Sequence, residues 1–283
     1  MRPLCFAALA LAAAFVIGPA RAAEGTFAVG VAQADITPTY PVRLSGFGFR
    51  RTESEGVTQK IWAKALAFGD DEPALLIAVD NLGVPVGIVD EVARRLATKG
   101  VKRDRLAVTA THTHTAPMLT NVCPTLFGVP IPKEHQEHID RYTKEFTDAL
   151  EKVALAALAD RRPAKLSWGV GTVGFAANRR TKGGPVDHDL PVLVVRDPSG
   201  KVRAVYVSYA CHCVTLSNNK VSGDWAGYAQ QAIQDDFPGT IALCSVGCGA
   251  DSNPSSGVTG DKTELAQRQG AEVAAEVKRL LKG

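Results

Sequence analysis

The chain has little of several things, and each shortage narrows the reading. Only 6% of its 283 residues are aromatic and two are methionine. It has no low-complexity block, no long linker and no internal sequence repeat, so it reads as one globular unit, not a repeat array. Neither charge dominates: the net charge is +3, too weak to argue for nucleic acid or an anionic membrane surface. The basic pairs Arg161-Arg162 and Arg179-Arg180 are too short to make a patch on their own. Beyond the first residues nothing is apolar enough for a span of ~20 residues. A Gly-x-Ser-x-Gly elbow is also missing, which argues against an α/β-hydrolase serine.

The N-terminus is the exception to this even composition. Arg2 precedes an apolar stretch from Leu4 to Gly18, and Ala20-Arg21-Ala22 offers a small-x-small cleavage site. The pattern is that of a secretory signal peptide over residues 1–22, leaving 23–283 as a single domain outside the cytoplasm, secreted or periplasmic. Removing it removes Cys5 and leaves Cys123, Cys211, Cys213, Cys244 and Cys248. An odd number cannot all pair internally; Cys244 and Cys248 are the closest candidates for a loop-closing disulfide.

Short apolar runs alternate with longer helical patterns. Strands are expected at 27–36, 61–68, 74–79, 106–110, 164–169, 192–195, 204–210 and 240–245, and helices at 86–97, 133–158, 225–236 and 262–281. The interleaving predicts an α/β fold, layered mixed β-sheets with flanking helices. Polar residues gather just past the predicted strands: Asp80-Asn81, the Thr-His-Thr-His segment, His212, and a Gly-rich turn at 247–252. Ligands in open α/β sheets bind beyond strand carboxyl ends.

Six histidines are present, and two of them stand two apart in "VTATHTHTAP", residues 108–117. In extended chain, residues i and i+2 share a face about 6.6 Å apart. His112 and His114 could then converge on one cation, or one could bind while the other handles protons. His212 ends a second apolar run, "AVYVSYACH", and its neighbours Cys211 and Cys213 would face away from it. Asp224 opens the next helical pattern after Ser222-Gly223, where an aspartate is often only a cap. The turn "SVGCGADSNPSSG" could direct backbone amides at an anion, and its Ser252 is either a nucleophile or an ordinary turn residue.

Taken in order, "VGVAQADITP", "GFGFRR", "THTHTAP", "NRR", "HCVTLSNNKVSGDWAGYAQQAI" and "GCGADSNP" resemble the N-terminal catalytic region of neutral/alkaline non-lysosomal ceramidases. That resemblance implies a zinc amidohydrolase cleaving the N-acyl bond of ceramide-type lipids. It implies that His112 and His212 ligate Zn2+, that His114 is a proton or hydrogen-bond partner beside the metal, and that Asp224 supports a ligand or a water. Ser252 aligns by spacing with the family's nucleophilic serine, although the aspartate and proline of that turn are shifted. The family's remaining zinc ligands, a glutamate and a tyrosine, come from a later region with no counterpart in these residues. Either local residues such as Asp251, Asp224 or Asp187 complete the shell, with His188 more readily a solvated loop histidine than a substitute, or the site is incomplete, since a catalytic zinc wants about three protein ligands and a water. The attacking group is either Ser252 or a zinc-bound water. The partner implied is a small-molecule lipid amide, or another amide or ester. The alternative is a non-catalytic module that binds a ligand or a partner domain.

Overall fold

The computed structural model describes residues 25–282; the signal-peptide expectation at 1–22 lies outside them. Strands β1 (Phe27–Asp35), β2 (Trp62–Phe68) and β3 (Ala74–Val79) lead through helix α1 (Val86–Leu96) to β4 (Leu106–Ala110) and helix α2 (Lys133–Ala159). The second half repeats the plan. Strands β5 (Arg162–Thr172), β6 (Ala176–Asn178), β7 (Asp189–Arg196) and β8 (Val202–Tyr209) precede helix α3 (Asp224–Asp236). Strands β9 (Ile241–Val246) and β10 (Ser252–Pro254) and helix α4 (Thr263–Lys282) follow. The α/β layering and all four helices match expectation to within two residues. The two three-residue strands β6 and β10 were not foreseen; they pair with each other beside the main sheet.

The main sheet runs β4-β3-β2-β1-β5-β7-β8-β9. Within each half the first three strands are antiparallel and a helical crossover adds the fourth in parallel. The halves join only where Phe27–Val29 pairs with Arg162–Ala164. Across that short hinge the sheet doubles over. Val29, Val31, Leu66 and Ala78 of the first half then pack against Val195, Ala204 and Leu243 of the second. On the outer face of the first half, Ala63, Ala65, Ile77 and Val79 meet Val92, Ile139, Phe146 and Leu150 of α1 and α2. On the second, Val192, Val205, Val207 and Cys244 meet Trp225, Ala229, Val273 and Val277 of α3 and α4. Four layers result, helix-sheet-sheet-helix. Both faces of each half-sheet are covered, which is why most strands read as nearly continuous apolar runs. The repeat is one of topology alone and leaves no mark in the sequence.

Two polar links cross the doubled sheet. Lys64 Nζ, fully buried, donates to Ala242 O at 2.7 Å and to Gln234 Oε1 at 3.1 Å. Asp80 accepts from Trp62 N and from Gln230 Nε2. Burial lowers the Lys64 amine to about 8 and raises the Asp80 carboxyl.

Candidate metal centre

The histidine segment does not continue β4. His112 has φ +61°, a left-handed backbone that a non-glycine residue rarely adopts. Such strain gathers at functional sites. This corrects the expectation of an extended i, i+2 pair: the turn at His112, not strand alternation, brings the two rings together. Thr113 and Thr115 do face away, and both hydroxyls donate to Ser222 O, at 3.0 and 2.9 Å.

The same segment is tied to the end of β8. His114 N donates to Cys213 O at 3.1 Å, and Ser222 N to Thr115 O at 3.0 Å. Trp225 Nε1, at the start of α3, holds His212 O at 3.0 Å. His112 and His212, a hundred residues apart in sequence, therefore have ring centroids 4.9 Å apart; His114 lies 4.9 Å from His112 and 5.8 Å from His212. One ligand nitrogen from each ring lies within 4.8 Å of the others.

Hydrogen bonds at the ring backs set the tautomers. His112 Nδ1 donates to Leu82 O at 2.7 Å, and His212 Nδ1 to Gly249 O at 2.7 Å. Each Nε2 is left with a lone pair facing inward, the arrangement that backbone carbonyls impose on metal-ligating histidines. His114 Nε2 lies 3.3 Å from His112 Nε2, and its Nδ1 is buried without a hydrogen-bond partner. Burial, then the neighbouring His112 and His212, depress the His114 imidazole to about 3, and burial lowers His212 as well. Both are neutral at pH 7, as cation ligands must be.

Glycine lets the backbone close in. A Cβ at Gly46 would sit 2.6 Å from the His114 ring, and one at Gly249 would sit 2.6 Å from Ala210 C and Cys211 N. Arg50, buried, donates to the carbonyls of His114 and Asn218 at 2.6 and 2.7 Å. Arg179 Nε and Nη2 clamp Ala250 O at 3.0 and 2.7 Å. Phe47 meets the His114 ring edge at 5.1 Å. Sequence reasoning gave Arg50, Arg179 and Phe47 no role. They lie inside the "GFGFRR" and "NRR" segments, where nothing marks a chemical function.

The other candidates fall around this cluster. Ser252 accepts His212 N at its carbonyl, 2.9 Å, and its Oγ is buried with no hydrogen-bond partner. Asp224 is fully buried with φ +52°. Its carboxylate accepts Leu216 N at 2.8 Å and Trp225 N at 2.6 Å, so it grips the loop after His212 by its backbone, not by the ring. Burial raises it to about 6. Among the described residues the three histidines form the one cluster of ligand-type side chains. Asp187, His188, Asp224 and Asp251, weighed as completing ligands, are outside it: His188 Nδ1 faces Val173 O and Asp251 accepts from Asn178. The third imidazole is His114. All five described cysteines are free. Cys211, Cys213 and Cys244 are buried and Cys123 and Cys248 exposed, so the expected Cys244–Cys248 disulfide is absent.

Residues 27–245 match the family model described as "Neutral/alkaline non-lysosomal ceramidase, N-terminal". The chain belongs to that family. Its fold is shared by solved ceramidases. The neutral ceramidase from Pseudomonas aeruginosa superposes with a TM-score of 0.76 at 19% identity, over 90% of this chain and 45% of that one. A second structure, "Ceramidase complexed with C2", gives 0.76 at 18% identity, over 90% and 44%. This family member thus spans less than half the length of the ceramidases it matches. No curated protein matches its sequence. Among the described residues no helix is long and apolar enough to cross a membrane.

Proposed function

We propose that the chain is a zinc-dependent hydrolase of an N-acyl amide bond, with a lipid amide of the ceramide type as its substrate class. The observation that carries the reading is the convergence of His112, His114 and His212, with two Nε2 atoms freed by carbonyl bonds behind them. Zinc bonds imidazole nitrogen at about 2.0–2.1 Å, so tetrahedral ligand atoms stand roughly 3.3 Å apart. The His112–His114 nitrogen pair is at 3.3 Å. The buried, unpartnered Ser252 Oγ marks a second polar atom next to the cluster whose partner would come from a ligand. The donor set therefore fits the ion.

When bound, zinc would polarise the amide carbonyl and acidify a water. The residues do the rest. His112 and His212 hold the ion, and Leu82 O and Gly249 O fix their rings. His114 is the third nitrogen donor, or a neutral hydrogen-bond partner to the substrate beside the two ligands. Ser252 supplies a hydroxyl for attack or for orienting the attacking water. Asp224 positions the loop behind His212. The leader-like residues 1–22 support action outside the cytoplasm.

Zinc analysis after dialysis, with a fluorescent N-acyl amide assay, tests this. About one zinc per chain and turnover lost in His112→Ala support it. Equal turnover in both proteins refutes it. Zinc retained with no turnover would leave a ligand-binding module.

A further inference from the structure

On α3, residues 227, 230, 231 and 234 follow the i, i+3, i+4, i+7 spacing that normally carries an apolar stripe. Here they read Gly-Gln-Gln-Gln. This stripe and the β2 residues Trp62 and Lys64 line a cavity of about 380 Å³. None of the three clustered histidines borders it. Gly227 makes room for Gln59, since a Cβ there would collide with the Gln59 amide oxygen.

Framework hydrogen bonds fix which way the amides point. Gln230 Nε2 donates to Asp80 Oδ1 at 2.8 Å and to Ala226 O at 3.2 Å. Gln234 Oε1 accepts from Lys64 Nζ and from Ala242 N, both at 3.1 Å. Gln231 Oε1 accepts from Gln59 Nε2 at 3.4 Å, and Gln59 Oε1 accepts from Gly223 N at 3.2 Å. Among the described residues this leaves the Gln230 oxygen as an acceptor and the Gln231 and Gln234 amide nitrogens as donors. Lys64 Nζ gives two of its three N–H groups to Ala242 O and Gln234 Oε1. Gln230 is only 4% exposed, so its oxygen, on the cavity wall with no protein donor, calls for a donor from within the cavity.

The charges around the cavity balance or fall slightly negative. Lys60, on the rim, pairs with Asp35 at 2.8 Å. The field of buried Asp80 offsets Lys64, and Asp235 adds an exposed carboxylate. Such surroundings do not select an anion. We propose that this cavity binds a neutral polyhydroxylated ring, a ligand of the monosaccharide class, with hydroxyls between the Gln230 oxygen and the Gln231, Gln234 and Lys64 nitrogens and a ring face against the Trp62 indole. A hydroxyl both donates and accepts, so one group serves the acceptor and donors set side by side. The indole supplies the flat apolar wall that the C–H face of such a ring needs. A wholly apolar ligand would leave these buried polar groups unpaired. The inference stands apart from the zinc reading.

Ligand-observed NMR titration of the purified protein with the methyl glycosides of glucose, galactose and mannose tests it. At least one should bind with a Kd on the order of millimolar, as befits so small and polar a ligand. Trp62→Ala should weaken binding about tenfold, and Trp62→Phe, which keeps a flat ring, by less. Gln231→Trp, placed at an exposed position, should fill the cavity and abolish binding; it carries the test if Trp62→Ala does not fold. Trp168→Phe, at an exposed aromatic on β5, should bind as wild type. No binding of any of the three glycosides, binding that survives Gln231→Trp, or tighter binding of sodium gluconate than of the glycosides would each overturn the proposal. Zinc content and amide turnover depend on other residues, so loss of either leaves this result standing.

Discussion

The two halves of the fold offer equivalent strand ends and fill them with different chemistry. After β3 the first half places Asp80-Asn81; after β8 the second places His212. After β4 the first half places His112 and His114; after β9 the second places the Gly247–Gly249 turn. Asp80 and Asn81 are framework. Both are buried, Asp80 bonded to Trp62 N and Gln230, Asn81 to Pro117 O. The glycine turn is framework of another kind, because it brings a carbonyl against the back of His212. A topological repeat thus yields one site, not two. Each half supplies imidazoles at one strand end and the means of holding them at the other.

The comparison can be broken most severely at the imidazoles. His212→Ala and His112→Ala, one from each half, should each lower kcat/KM by about a thousandfold and abolish zinc retention. Asp80→Asn, at the strand end equivalent to the one that precedes His212, should leave zinc content intact. A loss of zinc there would mean that the first-half strand end belongs to the site after all.

The next largest effect falls on the glycine turn. Gly249→Ala drives a methyl into the backbone at Ala210 and Cys211 and should cost about 3 kcal/mol, read as a lower melting temperature together with weaker zinc binding. Gly87→Ala, in α1 with open space around it, should be neutral or stabilise by about 0.5–1 kcal/mol. Equal effects would remove the close-approach argument.

Lys64→Met probes what joins the halves. It strands Ala242 O in the seam between the sheets, at a cost of about 1–3 kcal/mol, measured by urea denaturation. An unchanged midpoint would show that the seam is held by apolar packing alone.

The smallest effect is a slope. In zinc-free protein, His114 and His212 have folded pKa values below the unfolded 6.5. The unfolded state binds more protons, so stability present above pH 6.5 is lost as pH falls towards 3. Asp224 works the other way. Its pKa, raised from 3.8 to about 6, makes the folded state hold the extra proton, and stability rises as pH falls through that window. The acid-side loss should therefore be shallower in His114→Asn and steeper in Asp224→Asn than in wild type. Identical slopes would contradict the burial of both groups.

Much of this was legible in the sequence, for identifiable reasons. Strands covered on both faces leave apolar runs such as "ALLIAV" and "IALCSV", and helices leave a 3.6-residue period, so elements and fold class could be read. The pairing of His112 with His212 could be suspected because both follow strands. The left-handed turn at His112 could not, since no glycine marks it and its partners at Leu82 and Cys213 are remote in sequence. A third nitrogen at the cluster could not be assigned from sequence, because His114 reaches it through a backbone turn that no residue pattern marks. β6 and β10 are three residues long and pair across more than seventy residues, too short for a periodic signal. The topological repeat was silent because packing constrains residue class, not identity.

The most direct test of the central claim is anomalous diffraction at the zinc edge from crystals grown with the metal. The account predicts a single strong peak among the Nε2 atoms of His112 and His212 with His114 adjoining it. A zinc peak at the exposed thiols Cys123 or Cys248, or none between the two histidine-bearing loops, would contradict it.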